Sequence, residues 1–294
     1  MATEDKIHVP VMSDEVIEYL NLKADGIYID CTFGRGGHSQ VILKRLKKGK
    51  LIAFEWDKKF CDLAKKDSYF SSPQFQIIND NFANLSSRLF ELGIEKADGV
   101  LFDLGLSSDQ LNDEDRGFSY RLNSSLDMRI SKENKLTAEE VINNYSYEKL
   151  ADIFYYYGEE RKARVIARKI CYWRKKEKIT NSEQLIGIVA SCFPKKSNKH
   201  PARKIFQALR IFVNNELENL SQALEDSLGL LNSKGRIVVI SFHSLEDRIV
   251  KQIFKKVSPK NFQIITKRPL VPDLREIEIN HRARSAKMRV IACR

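Results

Sequence analysis

The feature that most constrains this chain is a regular alternation of short apolar runs and helical segments between about residues 26 and 110. The apolar runs predict strands over 26–30, 50–55, 75–78 and 99–103. The run at 50–55 is nearly continuous in apolar residues, which is typical of a strand buried on both faces of a sheet. Because strands that alternate with helices favour parallel pairing and right-handed crossovers, the sequence predicts an α/β fold with a doubly wound parallel sheet.

The strand pattern stops near residue 112 and is replaced by a helical region. Apolar residues at helical spacing predict helices over 137–157, 161–176 and 203–231. Strands return over 236–241, 262–266 and 288–292. The simplest organisation is therefore one discontinuous α/β domain, 1–111 with 206–294, and an inserted helical domain over 112–205.

The positive charge of the chain is concentrated in two stretches. The chain has 50 Lys and Arg against 39 Asp and Glu, a net charge of +11. Segment 161–204 holds 14 of the basic residues and only two acidic ones, a local net charge of 14 − 2 = +12, and a second basic loop spans 280–287. Lys and Arg attract phosphates by Coulomb forces and counterion release, so the charge suggests a polyanionic partner, although a generally basic composition explains the net charge equally well. If the partner is RNA, the candidate contacts are Lys195, Lys196, Lys199, Arg203, Arg282 and Arg284. A solvated helix face remains the alternative for 161–176.

Aromatic residues are interleaved with the basic ones in the first of these stretches. Tyr172, Trp173 and Phe193 could stack on nucleobases. Trp173 follows the apolar stripe of its predicted helix, so we expect it to pack in the core instead.

The cysteines and the N-terminus indicate an intracellular compartment. The five cysteines form no CxxC pair and no Cys/His cluster with zinc-ligand spacing, so we expect reduced thiols and no metal. The first residues are polar and acidic, without the apolar core of a signal peptide, and no apolar run is long enough to span a bilayer. The expectation is a cytoplasmic protein without a membrane partner.

A glycine-rich loop follows the first predicted strand. Gly34, Gly36 and Gly37 lie between that strand and a helix, and glycine lets a backbone approach a ligand closely. In open α/β sheets, ligands bind at the carboxyl ends of the strands. The spacing differs from the GxGxxG dinucleotide motif and no Walker lysine follows, which favours S-adenosylmethionine over NAD or ATP. A tight structural turn is the alternative.

Carboxylates follow the next strands at the same edge. Glu55 closes the second strand, where a carboxylate can accept both ribose hydroxyls of an adenosine cofactor, and Asp57 is a rival for this role. The segment from Asp80 to Phe82 follows the third strand and could hold an adenine, although an ordinary turn is nearly as consistent with the spacing. A solvated strand end is the alternative for Glu55.

Two further residues at this edge are candidates for catalysis. Asp103 ends the fourth strand and could bind the cofactor's amino group or orient the substrate, and a buried, capped carboxylate is its alternative. His243 follows the fifth strand, where it could contact the substrate, although a lone histidine is more often structural. Ser244 could cap the helix that starts there.

Many of these segments match one protein family. The chain resembles the RsmH, or MraW, family of 16S rRNA cytosine-N4 methyltransferases, for example in Arg116-Gly117-Phe118-Ser119 and in Phe206-Gln207-Ala208-Leu209-Arg210. The other matching segments are 8–11, 30–39, 102–110, 126–129, 157–160, 200–202, 240–248 and 282–285. They occur in the order of the family and extend over nearly the whole chain.

The resemblance implies a Rossmann-like methyltransferase domain with an inserted helical domain that recognises the substrate. It implies transfer of a methyl group from S-adenosylmethionine to N4 of a decoding-centre cytidine in 16S rRNA, within the assembled small ribosomal subunit. The resemblance leaves undecided whether the protein forms a homodimer. Matched residue by residue, it implies cofactor contacts at these positions: Gly36, Gly37, His38, Glu55, Phe82, Asp103 and Gln110. Glu55 stands where the family more often has Asp, and Asp109 replaces a common Pro.

Two other functions are compatible with parts of the sequence. The first is a DNA amino-methyltransferase, but such enzymes usually carry an Asn/Asp-Pro-Pro-Tyr-like motif after the fourth strand, where this chain has Asp103-Leu104-Gly105-Leu106. The second is an RNA-binding assembly factor that retains a relic cofactor pocket. Binding of S-adenosylmethionine would discriminate this protein from an active enzyme.

Overall fold

The chain is organised as two compact units. The structure, a computed structural model, describes residues 10–194, 200–258 and 261–294. Unit 1 comprises Met1–Gly105 and Leu217–Arg294, and unit 2 comprises Leu106–Glu216. The predicted insertion, 112–205, falls inside unit 2. In the described part of the chain, no helix is both long enough and apolar enough to cross a membrane.

Unit 1 contains a seven-stranded, mostly parallel sheet. Its strands are β1 (Ile27–Asp30), β2 (Lys50–Phe54), β3 (Phe75–Ile78), β4 (Ala97–Asp103), β5 (Leu231–Ser241), β6 (Phe262–Ile264) and β7 (Lys287–Cys293). Their order is β3-β2-β1-β4-β5-β7-β6, with β1 to β5 parallel and β7 antiparallel to both of its neighbours. This Rossmann-like arrangement confirms the predicted α/β fold.

The central parallel strands β1, β2 and β4 are buried on both faces, as their apolar composition predicts, whereas β3 is only partly buried. Side chains alternate between the faces of a strand. Ile29, Ile52 and Val100 belong to the hydrophobic core on one face, whereas the preceding or following residues, such as Leu51 and Leu101, belong to the core on the other. Each strand therefore needs apolar residues in succession, because two helical layers cover the sheet.

The helices of the described residues are, in chain order, α1 (Ser13–Leu20), α2 (Gly37–Leu43), α3 (Lys58–Lys66), α4 (Leu85–Glu91), α5 (Ser108–Asn112), α6 (Ala138–Asn144), α7 (Tyr147–Tyr156), α8 (Ala163–Arg174), α9 (Ser182–Ala190), α10 (Arg203–Asn214), α11 (Glu216–Leu230), α12 (Ser244–Val257) and α13 (Leu274–Ile279). In unit 1, α1 and α2 supply buried residues to one core, and α4, α11 and α12 supply them to the other. Unit 2 has its own core, built mainly from α6 to α10.

Two predicted helices are each divided in the structure. The prediction of one helix over 203–231 is wrong, because α10 ends at Asn214 and Asn215 adopts a left-handed conformation (φ 52°) that an α-helix cannot continue. Segment 137–157 likewise contains both α6 and α7, and α7 begins where Ser146 accepts a hydrogen bond from the backbone N–H of Lys149. A single capping or left-handed residue therefore decides where these helices end.

Gly117 gives a test of how tightly unit 2 is packed. Its φ is +71°, and an added Cβ would lie 1.9 Å from the backbone oxygen of Ser125. Since both the backbone conformation and the contact oppose a side chain, we expect Gly117→Ala to lower the free energy of unfolding by about 2 kcal/mol or more. Chemical denaturation followed by circular dichroism and tryptophan fluorescence measures this change.

Gly187 provides the matched control, because it lies within α9 and an added Cβ would meet no atom within 4 Å. Gly187→Ala is expected to stabilise the protein by about 0.5–1 kcal/mol, since alanine restricts the unfolded chain and favours a helix. Equal denaturation midpoints for the two variants would contradict the strain assigned to Gly117.

Candidate functional site at the carboxyl edge of the sheet

The register of the central strands brings several predicted site residues to one edge. Asp30 of β1 pairs with Ala53 of β2 on one side and with Leu101 of β4 on the other. Glu55 lies two residues beyond Ala53, and Asp103 lies two residues beyond Leu101. The two side chains are therefore on either side of the loop that follows β1. The strand order reverses between β1 and β4, which is where open α/β sheets form a ligand-binding crevice.

Glycine is found at positions 34 and 36 of this loop for different structural reasons. Gly34 (φ +57°) and Gly36 (φ +76°) both adopt the left-handed region. An added Cβ at Gly36 would lie 2.3 Å from the ring of Phe70, so packing alone requires glycine there. At Gly34 the nearest atom would be a backbone oxygen 4.0 Å away. Space for a ligand therefore lies beside Gly34.

Glu55 is directed at the glycine loop. One of its carboxylate oxygens accepts a hydrogen bond from the backbone N–H of Gly34 (2.8 Å), and the other accepts one from the N–H of Asp57 (2.7 Å). Burial raises the pKa of Glu55 to about 8, although both hydrogen bonds oppose this shift. Asp57 caps α3 through the N–H of Lys59. Of the two rivals for the ribose, Glu55 is therefore the one held against the loop.

The segment after β3 contains a carboxylate that already has hydrogen-bond partners and an aromatic ring that is only partly buried. Asp80 accepts hydrogen bonds from the side chains of Asn84 (2.9 Å) and Arg88 (2.6 Å), so its carboxylate already has partners. Phe82 is half-buried, with its ring edge-to-face on Phe102 at a centroid distance of 5.8 Å. An adenine at this position would therefore be held by the ring of Phe82 rather than by Asp80.

The buried His38 lies close to Asp103, which is half-buried. The Nε2 atom of His38 lies 3.5 Å from Oδ2 of Asp103, an ion-pair distance rather than a good hydrogen bond. Burial by itself would lower the pKa of His38, but the nearby carboxyl groups of Asp103, Asp30 and Glu276 together outweigh it, and the net pKa of the imidazole is raised. Both His38 Nε2 and Asp103 Oδ1 are buried without a hydrogen-bond partner among the described residues. Buried polar atoms of this kind need an explanation, and a bound ligand is one.

Three residues that sequence reasoning did not single out support this pair. The hydroxyl of Thr32 accepts a hydrogen bond from the backbone N–H of Asp103 (2.7 Å), which ties the end of β4 to the loop after β1. Asp30 accepts bonds from the Ser39 hydroxyl (2.7 Å) and from the Thr32 N–H (3.1 Å), and burial raises its pKa. All three lie within the 30–39 segment, so polar residues flanking the glycines were the available signal.

His243 has a structural function at the start of α12. Its Nδ1 accepts a hydrogen bond from the N–H of Glu246 (3.3 Å), and the Glu246 carboxylate accepts bonds from the N–H groups of His243 and Phe242. His243 rather than Ser244 is therefore the capping residue. Because Nδ1 is an acceptor in this arrangement, the proton of the neutral ring lies on Nε2. A catalytic role for His243 stays a prediction.

The remaining predicted site residues are distributed over both units. Gln110 lies on α5 in unit 2, where it forms a capping box with Ser107. The predicted RNA contacts Lys195, Lys196 and Lys199 fall outside the described residues. Arg203 is exposed at the first position of α10, Arg284 is exposed in unit 1, and Arg282 is half-buried there.

The expectation that Trp173 packs in the core is wrong. Its side chain is 45% exposed. The buried stripe of α8 continues from Ile170 to Arg174, whose guanidinium donates hydrogen bonds to the backbone oxygens of Ile142 (2.7 Å) and Tyr145 (2.6 Å). Trp173 consequently lies beside the stripe rather than on it.

The residues at the edge of the sheet fit an adenosine cofactor that carries an amino acid group. Glu55 has acceptor oxygens that could also bind ribose hydroxyls, Asp103 has a buried oxygen without a partner among the residues described, and Gly34 has open space beside it. These are the acceptor groups that such a ligand requires, and all of them lie within unit 1.

Comparisons with known proteins find similar sequences over nearly the whole chain. Residues 5–294 match the model of the MraW methylase family. Similar proteins named "Ribosomal RNA small subunit methyltransferase H" occur in Endomicrobium trichonymphae (48% identity, covering 96% of this chain and 97% of the relative) and in Mesoplasma florum (45%, 97% and 98%). A relative of the same name in Streptococcus mutans is 44% identical, and 98% of each chain is covered.

Proposed function

This chain belongs to the MraW methylase family, and on that premise we propose that it methylates N4 of a decoding-centre cytidine in 16S rRNA. It is a methyltransferase that uses S-adenosylmethionine. Relatives of nearly equal length carry a small-subunit rRNA methyltransferase name, which supports rRNA as the substrate of this chain as well. Because that substrate is ribosomal, we place the enzyme in the cytoplasm, acting on the assembled small subunit.

The observation that carries the proposal is Oδ1 of Asp103 at the carboxyl end of β4, which is buried and has no hydrogen-bond partner in the described part of the chain. An exocyclic amine is a weak nucleophile because its lone pair is delocalised into the ring. A carboxylate that accepts a hydrogen bond from the amine favours localisation of the lone pair on nitrogen and fixes its direction. His38 lies 3.5 Å from Oδ2, the other oxygen of this carboxylate, so Oδ1 is the oxygen left for the amine.

The other residues at this edge of the sheet are proposed to bind the cofactor and to hold Asp103 in position. Bound S-adenosylmethionine supplies a methyl group on a positively charged sulfur, which makes a strong acid or base unnecessary for the transfer. Glu55 is proposed to accept the ribose hydroxyls, and Phe82 to contact the adenine. Thr32 fixes the backbone of Asp103 through its hydroxyl, so that the carboxylate is held in place before the substrate arrives.

The proposed reaction has a direct test. Small ribosomal subunits that lack the modification are incubated with the enzyme and labelled S-adenosylmethionine, and the rRNA nucleosides are then analysed by mass spectrometry. We expect label in a cytidine methylated at N4. Free 16S rRNA serves as the comparison and is expected to be a poorer substrate than the subunit.

Other positions of the label would change the assignment in defined ways. Label on C5 of cytosine or on a ribose would refute N4 as the acceptor. Transfer of label to DNA in a parallel reaction, without transfer to subunits, would favour the DNA amino-methyltransferase. Tight cofactor binding without transfer to subunits would contradict the rRNA substrate.

A further inference from the structure

One face of α8 carries three cationic residues and one tyrosine. Arg164, Arg168, Tyr172 and Lys175 follow one another at intervals of four, four and three residues, which places them on the same side of the helix. All four side chains are exposed. The surrounding segment 161–178 contains nine basic residues and one acidic residue, Glu177, so its net charge is 9 − 1 = +8.

The tyrosine of this face lines a cavity that α7 completes. The cavity has a volume of about 300 Å³ and is lined by Tyr147, Arg168, Cys171, Tyr172 and Lys175. Tyr172 is 56% exposed. The ammonium of Lys176 lies 4.7 Å from the centroid of the Tyr172 ring and covers one of its faces. A flat ligand would therefore stack on the opposite face.

Two properties of this cavity define the ligand that fits it. Exposed aromatic rings offer a stacking surface, and the guanidinium and ammonium groups around them attract negative charge. An unpaired nucleotide combines a flat, polarisable base with a phosphate, so it satisfies both properties at once. A base within a duplex is already stacked on both faces and could not enter.

We propose that the Tyr172 cavity, defined by its five lining residues, binds an unpaired nucleotide of the RNA substrate in addition to the nucleotide that is methylated. The base stacks on Tyr172, and its flanking phosphates contact Arg164, Arg168 and Lys175. This proposal rests on the proposed function, because it assumes an RNA substrate, but it concerns a separate binding site within unit 2.

Cys171 allows the site to be tested with RNA alone. Its half-buried thiol lines the cavity, whereas the half-buried thiol of Cys293 belongs to unit 1. A single-stranded RNA dodecamer is expected to slow the alkylation of Cys171 in the full chain but not that of Cys293, as quantified by peptide mass spectrometry. The same sequence in a duplex should protect Cys171 less.

Some protection patterns would overturn the proposal. Equal protection by the duplex would indicate non-specific electrostatic binding. Equal protection by a poly-glutamate peptide would indicate an acidic protein partner instead. Neither measurement requires methyl transfer, so a failure of the proposed methylation and a failure of this site are distinguishable.

Variants of Tyr172 test the role of the site in the reaction. Tyr172→Ala is expected to raise KM for small subunits by roughly 5- to 150-fold, the factor that corresponds to stacking of one base. The value of kcat and the affinity for S-adenosylmethionine should stay unchanged, because the tyrosine contacts neither reacting group. Tyr172→Phe retains the ring and should restore KM.

Tyr155→Ala is the matched control. Tyr155 lies on α7 and is 58% exposed, but it is not among the residues that line the cavity. Its replacement should leave KM unchanged. An unchanged KM for Tyr172→Ala, or an equal rise for Tyr172→Phe and Tyr172→Ala, would overturn the stacking role.

Discussion

Replacing Asp103 by alanine is expected to lower kcat by about 10²- to 10³-fold while the protein stays folded. The carboxylate has a buried oxygen with no hydrogen-bond partner among the described residues, so its removal takes away the acceptor that we propose orients an amino group. The fold should persist, since Asp103 is bonded to Thr32 through its backbone N–H, which every variant retains. Methyl transfer at saturating cofactor and subunits, together with thermal unfolding, measures the two effects separately.

Two further variants make this expectation sharper. Asp103→Asn keeps the size of the side chain but loses its charge, so it should be nearly as impaired as the alanine variant. Asp98→Asn is the control near the amino end of the same strand. Asp98 bonds the side chain of Lys23 and the N–H of Ile27, so its loss should cost stability but not kcat. An active Asp103→Asn enzyme would show that a neutral acceptor oxygen is sufficient and that the charge of the carboxylate is not required.

Cofactor affinity then separates the two roles proposed for Asp103. If the carboxylate holds the amino group of S-adenosylmethionine, calorimetry of the alanine variant will show a weakened Kd. If it orients the base, the Kd will stay close to that of the unmodified protein while kcat falls.

Glu55 is expected to make the stability of the protein decrease with pH between about 4.5 and about 8. Its pKa is raised from 4.5 to about 8 in the folded protein. In this interval the unfolded chain loses the proton of Glu55 while the folded protein retains it, so rising pH favours unfolding. The effect is absent below 4.5 and complete above 8. Its size is on the order of a few kcal/mol, because each unit of pKa difference corresponds to about 1.4 kcal/mol.

The Glu55→Gln variant isolates this contribution. Glutamine cannot titrate, and its amide nitrogen cannot accept the second of the two backbone hydrogen bonds, which costs about 1 kcal/mol at every pH. Relative to the unmodified protein, the variant should therefore gain stability as pH rises, and the gain should level off above pH 8. Urea denaturation at a series of pH values measures the difference.

The control for this titration is Glu95→Gln, at an exposed position. That substitution should leave the pH dependence unchanged. If the stability difference between Glu55→Gln and the unmodified protein were constant with pH, or changed in the opposite direction, the pKa of Glu55 would not be raised by folding.

The strands of unit 1 were predictable because their sequence is governed by a simple rule. A parallel strand covered on both faces needs consecutive apolar residues, and the runs near Ile52 and Val100 satisfy this requirement without reference to the rest of the chain. The helix boundaries were less predictable. The left-handed conformation of Asn215, which divides the predicted helix 203–231, depends on one backbone torsion that no apolar periodicity encodes.

The sequence predicted the position of Glu55 and Asp103 at the edge of the sheet, but it did not predict their hydrogen bonds. The strand pattern placed Glu55 and Asp103 at the carboxyl edge, and the resemblance to a methyltransferase family added His38. The bonds from Gly34 to Glu55 and from Asp103 to Thr32 join residues that are distant in the chain, so spacing gave no indication of them. The capping role of His243 likewise depends on the backbone geometry of its own turn.

The strand order has a consequence for the synthesis of the protein. β4 and β5 are neighbours in the sheet, yet all of unit 2 lies between them in the chain. On the ribosome, β1 to β4 are therefore complete while one long edge of β4 still lacks its partner, and that edge stays open to wrong pairing until β5 has been translated. Contacts so distant in sequence also form slowly. Unit 2, a continuous segment with its own core, can fold during this interval, so the nascent chain acquires its helical unit before the crevice beside Asp103 has its full support.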